Sequence, residues 1–109
     1  MPRRKQPLRK AVFLVPVADN QGVPFNHEDI GWLEGELIAR FGGWHTDEVE
    51  GAWRGPDSRI YREGMKRYHV AISGQQRQAM RRFLAAVRRR FRQEAIYVEW
   101  RDAEVEIIE

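Results

Sequence analysis

Between Gln75 and Trp100 the apolar positions change period. Met80, Phe83, Leu84, Val87 and Phe91 recur at intervals of three and four, which lines one face of a helix, and every arginine in the stretch lies off that stripe. From Ile96 the pattern alternates instead, with Ile96, Val98 and Trp100 on one side and Tyr97 and Glu99 on the other. A helix that feeds a strand is therefore predicted here.

The same reading orders the rest of the chain. Lys10 to Val17 is a strand with Val12 and Leu14 on one side and Phe13, Val15 and Val17 on the other; apolar residues on both faces predict a central position. After a loop from Ala18 to Phe25, Asn26 stands as a helix N-cap with Asp29 three residues on. A helix follows from His27 to Phe41, with Ile30, Leu33, Leu37, Ile38 and Phe41 as its stripe and Gly42-Gly43 as its stop. Gly31 and Gly35 each cost roughly 1 kcal/mol relative to alanine inside a helix, which predicts a close neighbour beside them. Trp44 to Arg54 reads as an edge strand of mixed polarity. Gly55-Pro56-Asp57-Ser58 is a turn. Arg59 to Ile72 returns with Tyr68, Val70 and Ile72 opposite His69 and Ala71, and Gly64 predicts a bulge or bend. Glu104 to Ile108 could add a final edge strand.

Strand, helix, strand, strand, helix, strand is the ferredoxin-like βαββαβ plan, an α+β antiparallel sheet with two helices on one face. The right-handed crossover rule places the first and third strands at its centre. The second face stays open and would carry His69, Ala71, Tyr97 and Glu99 around the apolar residues of strand one. Such a face is expected to be covered by a second copy of the chain, a homodimer. Residues 1–9 form a basic leader and 10–109 a single domain.

Composition narrows this picture. A chain of 109 residues buries roughly two-thirds of its unfolded surface around one core. With no cysteine, disulfide scaffolds, thiolate metal sites and cysteine nucleophiles are excluded. No run matches a signal peptide or reaches membrane-spanning length, so the expectation is a soluble cytoplasmic protein without a membrane partner. The net charge of +3 is unevenly spread: seven arginines and no acid lie between Gln75 and Arg92, whereas Glu99, Asp102, Glu104, Glu106 and Glu109 crowd the end. Charged helix faces are ordinarily solvated, and the expectation here is a solvated face partly paired with the acidic end. The alternative is an anionic partner, nucleic acid or an acidic protein, held by Arg81, Arg88, Arg89 and Arg92.

The candidate chemistry is sparse. His69, Tyr97 and Glu99 could meet on the open face as a base, a phenol and a carboxylate beside a cavity between two sheets, the arrangement of a small-molecule enzyme of the dimeric α/β-barrel kind. His27-Glu28-Asp29 fits a helix cap better than a metal site, because consecutive residues fan out around the axis. His45 and Asp47 share one strand face but are only two potential ligands, and Asp19 reads as a turn residue. No metal and no cofactor is expected. Trp44, Trp53, Tyr61 and Trp100 could stack bases, yet strand three lacks the paired aromatics of an RNA-recognition motif, and core or interface packing fits them better.

Phe41-Gly42-Gly43-Trp44-His45-Thr46, Gly51-Ala52-Trp53, Tyr61-Arg62-Glu63 and Phe91-Arg92-Gln93-Glu94-Ala95-Ile96-Tyr97-Val98, in this order and spacing, resemble a group of small uncharacterised bacterial proteins. The resemblance runs from about Val12 to Ile108, implies a ferredoxin-like domain, and singles out Thr46, Trp53, Glu63, Gln93 and Glu94. It transfers no catalytic residue. The leading expectation is a homodimeric, non-enzymatic binding module with an arginine-rich surface; the competitor is the small-molecule enzyme.

Overall fold

The computed structural model describes residues 8–18 and 22–109. Its elements are β1 (Leu8–Pro16), α1 (His27–Phe41), β2 (His45–Arg54), β3 (Ile60–Ser73), a 3-10 turn (Gly74–Gln76), α2 (Arg77–Arg90) and β4 (Val98–Val105). The strands form one sheet in the order β2-β3-β1-β4, and each neighbouring pair is antiparallel. This is the ferredoxin-like α+β arrangement, with β1 and β3 central. No helix among the described residues is long and apolar enough to cross a membrane.

The period-two pattern decides which side of the sheet is buried. Phe13 and Val15 of β1 and Tyr68, Val70 and Ile72 of β3 pack against Leu33, Leu37 and Phe41 of α1 and Met80, Phe83, Leu84 and Val87 of α2. Phe83 is in contact with Trp32 and Phe41 at ring-centre distances of 5.7 and 6.0 Å. Asn26 caps α1 by accepting a hydrogen bond from the Asp29 amide at 2.9 Å, and Gly42 ends it at φ 95°. Asp29 itself turns to Arg90 of α2, 3.0 Å away, which ties the two helices together.

Several expectations change. Strand one begins two residues earlier than Lys10, so Leu8 and Arg9 belong to β1; the remainder of the basic leader, like Asp19, lies outside the described residues. Ile38 is 56% exposed, and Trp32 takes a place against the core instead. A five-residue apolar stripe was wider than the face α1 buries. A Cβ added at Gly31 or Gly35 would meet nothing within 4 Å, so no close neighbour among the described residues explains them. Gly64 makes no bulge, since the β2–β3 register is continuous through it; it marks the point where β1 stops pairing with β3. The register shift falls between β1 and β4, at Leu8/Lys10. Glu104 and Val105 extend β4, and residues 106–109 form no strand.

The β2–β3 hairpin outruns the rest of the sheet. β1 pairs with β3 only as far as Met65, so the hairpin beyond it is a two-stranded arm. Trp53 and Tyr61 pair across this arm with ring centres 6.2 Å apart, and both remain over 40% exposed.

Candidate functional site on the open sheet face

Residues that alternate with the core positions face away from both helices: Val12 and Leu14 of β1, Arg67, His69 and Ala71 of β3, His45 and Asp47 of β2, and Glu99 and Arg101 of β4. The apolar centre expected there is already covered within the single chain: Val12, paired opposite His69 and Glu99, is 1% exposed.

Those polar groups form two clusters. In the first, Arg67 grips both oxygens of Asp47, through Nε at 2.9 Å and through Nη2, while His69 Nε2 lies 3.0 Å from Asp47 Oδ1. The His45 ring stacks on His69 with centres 4.5 Å apart and planes 5° from parallel. In the second, Glu99 accepts from the Tyr97 hydroxyl at 2.7 Å and from Arg101 Nε at 2.8 Å. His69 and Glu99 are each paired opposite Val12, on its two sides. Two strand spacings, roughly 10 Å, therefore separate their strands. Hence His69, Tyr97 and Glu99 share a face as expected but do not meet: Tyr97 and Glu99 bond to each other, and His69 bonds to Asp47.

The electrostatics follow from these contacts. Arg67 and His69 hold the Asp47 carboxyl well below the usual carboxylate range. Tyr97 and Arg101 likewise depress Glu99, and the Glu99 carboxylate pushes the Tyr97 phenol up. Desolvation, then the His69 ring and Lys10, press His45 below an ordinary imidazole, with Asp47 opposing them. With a carboxylate at Nε2, the His69 proton is placed on that nitrogen, and Nδ1 is buried without a partner among the described residues. Asp47 is fully engaged, and no group of three or more histidine, aspartate or glutamate side chains able to hold a metal occurs among the described residues. Arg67 and Arg101 were missed by sequence reasoning, although alternation alone puts them on the same face as His69 and Glu99.

The arginine surface is a separate feature. Arg77 and Arg81 lie over the Trp100 ring at 4.7 and 5.8 Å, and Arg88 Nη1 donates to the Gln93 carbonyl at 3.2 Å. Arg89 and Arg92 are exposed. Of the seven arginines from Arg77 to Arg92, only Arg90 has a carboxylate within ion-pair distance among the described residues. The acidic C-terminal residues do not pair with this helix. Gln93 closes the helix end, donating its side-chain amide to the Phe91 carbonyl and its backbone N–H to the Arg88 carbonyl, each at 2.9 Å. Trp44 and Trp100 pack against the core, which leaves Trp53 and Tyr61 as the exposed aromatics of the arm.

No family model matches the chain, and no curated protein matches it. Solved structures do match its fold. A phage SAM lyase in complex with S-methyl-5′-thioadenosine superposes with a TM-score of 0.70 at 14% identity, covering 97% of this chain and 91% of the lyase. A Bacillus cereus protein related to NIF3 superposes with a TM-score of 0.58 at 16% identity, covering 95% of this chain but 28% of that protein. At these identities the likeness is one of fold.

Proposed function

We propose that this chain self-associates and binds a small molecule on its open sheet face. The observation that carries this reading is the array of hydrogen-bonded ionisable groups, Asp47, Arg67 and His69 beside Tyr97, Glu99 and Arg101, on a face that neither helix covers. Folding gains little from exposed ion pairs. Clusters of mutually perturbed ionisable groups are instead what binding and acid–base sites are built from. Tyr97 is 57% exposed on this face, and Trp53 and Tyr61 continue it along the arm, so a second copy laid across them would enclose the array.

The phage lyase supplies the first ligands to try, because it has this fold over nearly its whole length and holds S-methyl-5′-thioadenosine. Calorimetric titration of the full chain with SAM and with S-methyl-5′-thioadenosine is expected to show binding of at least one. Replacing His69 with Ala or Glu99 with Gln should weaken it by about tenfold or more, ~1.4 kcal/mol. Binding of neither compound, or binding indifferent to both substitutions, overturns the reading.

A second reading, an anionic macromolecule held on α2, is favoured by the arginines that lack carboxylate partners. It uses a different surface and is compatible with the first.

A further inference from the structure

At one end of the sheet a cleft of about 350 Å³ opens between the C-terminal end of α1 and the ends of β1, β3 and β4. It borders the open face and shares His45, His69 and Ala71 with it, as well as Lys10, which pairs opposite Ala71 and Arg101; its other walls come from the core side and the chain end. Phe41, Val70, Val105 and Ile107 make it largely apolar, and Lys10 is the one fully charged side chain that the described residues bring to it. No aspartate or glutamate among the described residues lines it.

We infer that this cleft binds a small organic anion, a carboxylate carried on an apolar body. Its volume falls at the lower end of the range of small-molecule sites, about 300–1,000 Å³. Its polarity has one sign. Lys10 is a partly buried residue with no carboxylate within ion-pair distance among the described residues, and a ligand carboxylate would supply that counter-ion while its body displaces water from Phe41 and Ile107. Two neighbouring groups reinforce the choice. The stacked imidazoles of His45 and His69 can donate or accept but bring no negative charge, and His69 already has Nε2 committed to Asp47. Lys10 also acts electrostatically on His45, so both groups experience the same local field. Gly43 lines the cleft, and a Cβ added there would meet nothing within 4 Å among the described residues.

The test is a titration of the full-length protein with benzoate, its neutral isostere benzamide, and acetate, followed through the imidazole resonances of His45 and His69 and the Gly43 amide. Benzoate is expected to shift all three groups, with acetate far weaker and benzamide without effect. Lys10→Met should weaken benzoate by about tenfold or more, ~1.4 kcal/mol. Gly43→Leu should do the same by taking up room in the cleft that Gly43 lines, and its melting temperature reports whether the fold survives. Equal responses to benzoate and benzamide, acetate as effective as benzoate, or a benzoate response that survives both substitutions would overturn the inference. None of these probes contains a nucleoside, so the outcome is independent of the SAM and S-methyl-5′-thioadenosine titrations.

Discussion

Tyr68 shows how much one residue can conceal. Alternation assigns its ring to the buried side of β3, and there it lies, stacked on Phe13 at 5.3 Å and edge-on to Trp44 at 5.8 Å with none of its surface exposed. Its hydroxyl donates to Glu34 Oε2 at 2.8 Å, and Lys66 Nζ reaches the same oxygen at 3.3 Å. No sequence pattern announces that contact, because Glu34 is on α1 and only the packing of helix on sheet brings it close. Burial first, and then the Glu34 carboxylate, raise the phenol well above its ordinary pKa. The folded chain therefore keeps this proton where the unfolded chain, with a phenol near pKa 10, gives it up. Stability from this group is complete below about pH 10 and declines as pH rises above it. Tyr68→Phe should cost about 1 kcal/mol at neutral pH, since one hydrogen bond is lost while Lys66 still serves Glu34. It should also make the alkaline decline shallower, though not flat, because Tyr61 and Tyr97 are raised by their own carboxylates. Urea unfolding at neutral and alkaline pH measures both effects; an unchanged alkaline slope would show that the buried phenol does not control it.

Among the elements, α1 was the most legible, for reasons of local chemistry. Asn26 satisfies a free amide at its start, and Gly42 takes the left-handed conformation at its end, where its N–H donates to the Ile38 carbonyl at 2.9 Å. Both signals act within a few residues and need no knowledge of the rest of the fold. Gly42→Ala should therefore lower stability by roughly 1 kcal/mol, the cost of a Cβ in that conformation, read as a lower urea midpoint with an unchanged slope. An unchanged midpoint would mean that the helix end relaxes to another cap. Helix α2 ends differently, with Arg92 rather than glycine at φ 52°, so no glycine marked its stop. Strand limits were harder to read, because they depend on partners. β1 starts at Leu8 since Ser73 and Val105 are there to pair with it, and the β2–β3 arm extends beyond the sheet because β1 runs out.

Over the whole molecule, the sequence revealed which residues share a face but not which ones touch. Alternation correctly put His69, Tyr97 and Glu99 on the open side, yet strand order inserts Val12 between His69 and Glu99 and splits the proposed trio into two clusters. Charge distribution is subject to the same limit. Sequence alone left the acidic C-terminal residues available to neutralise the basic helix, but in the fold Glu99 is committed to Tyr97 and Arg101. The α2 surface thus keeps its positive charge, with Arg77 and Arg81 held over Trp100 and Arg89 and Arg92 exposed at the far end. If that surface takes a phosphate-rich partner, binding must release counterions in proportion to the arginines engaged. Retention of the full chain on single-stranded nucleic acid should be strong at low salt and fall linearly on logarithmic axes as salt rises. Replacing Arg88, Arg89 and Arg92 together with Gln should reduce that slope by about two to three, close to one per phosphate contact removed. A slope the triple substitution leaves unchanged would take α2 out of the interaction, and absence of retention at low salt would leave its arginines as a solvated helix face.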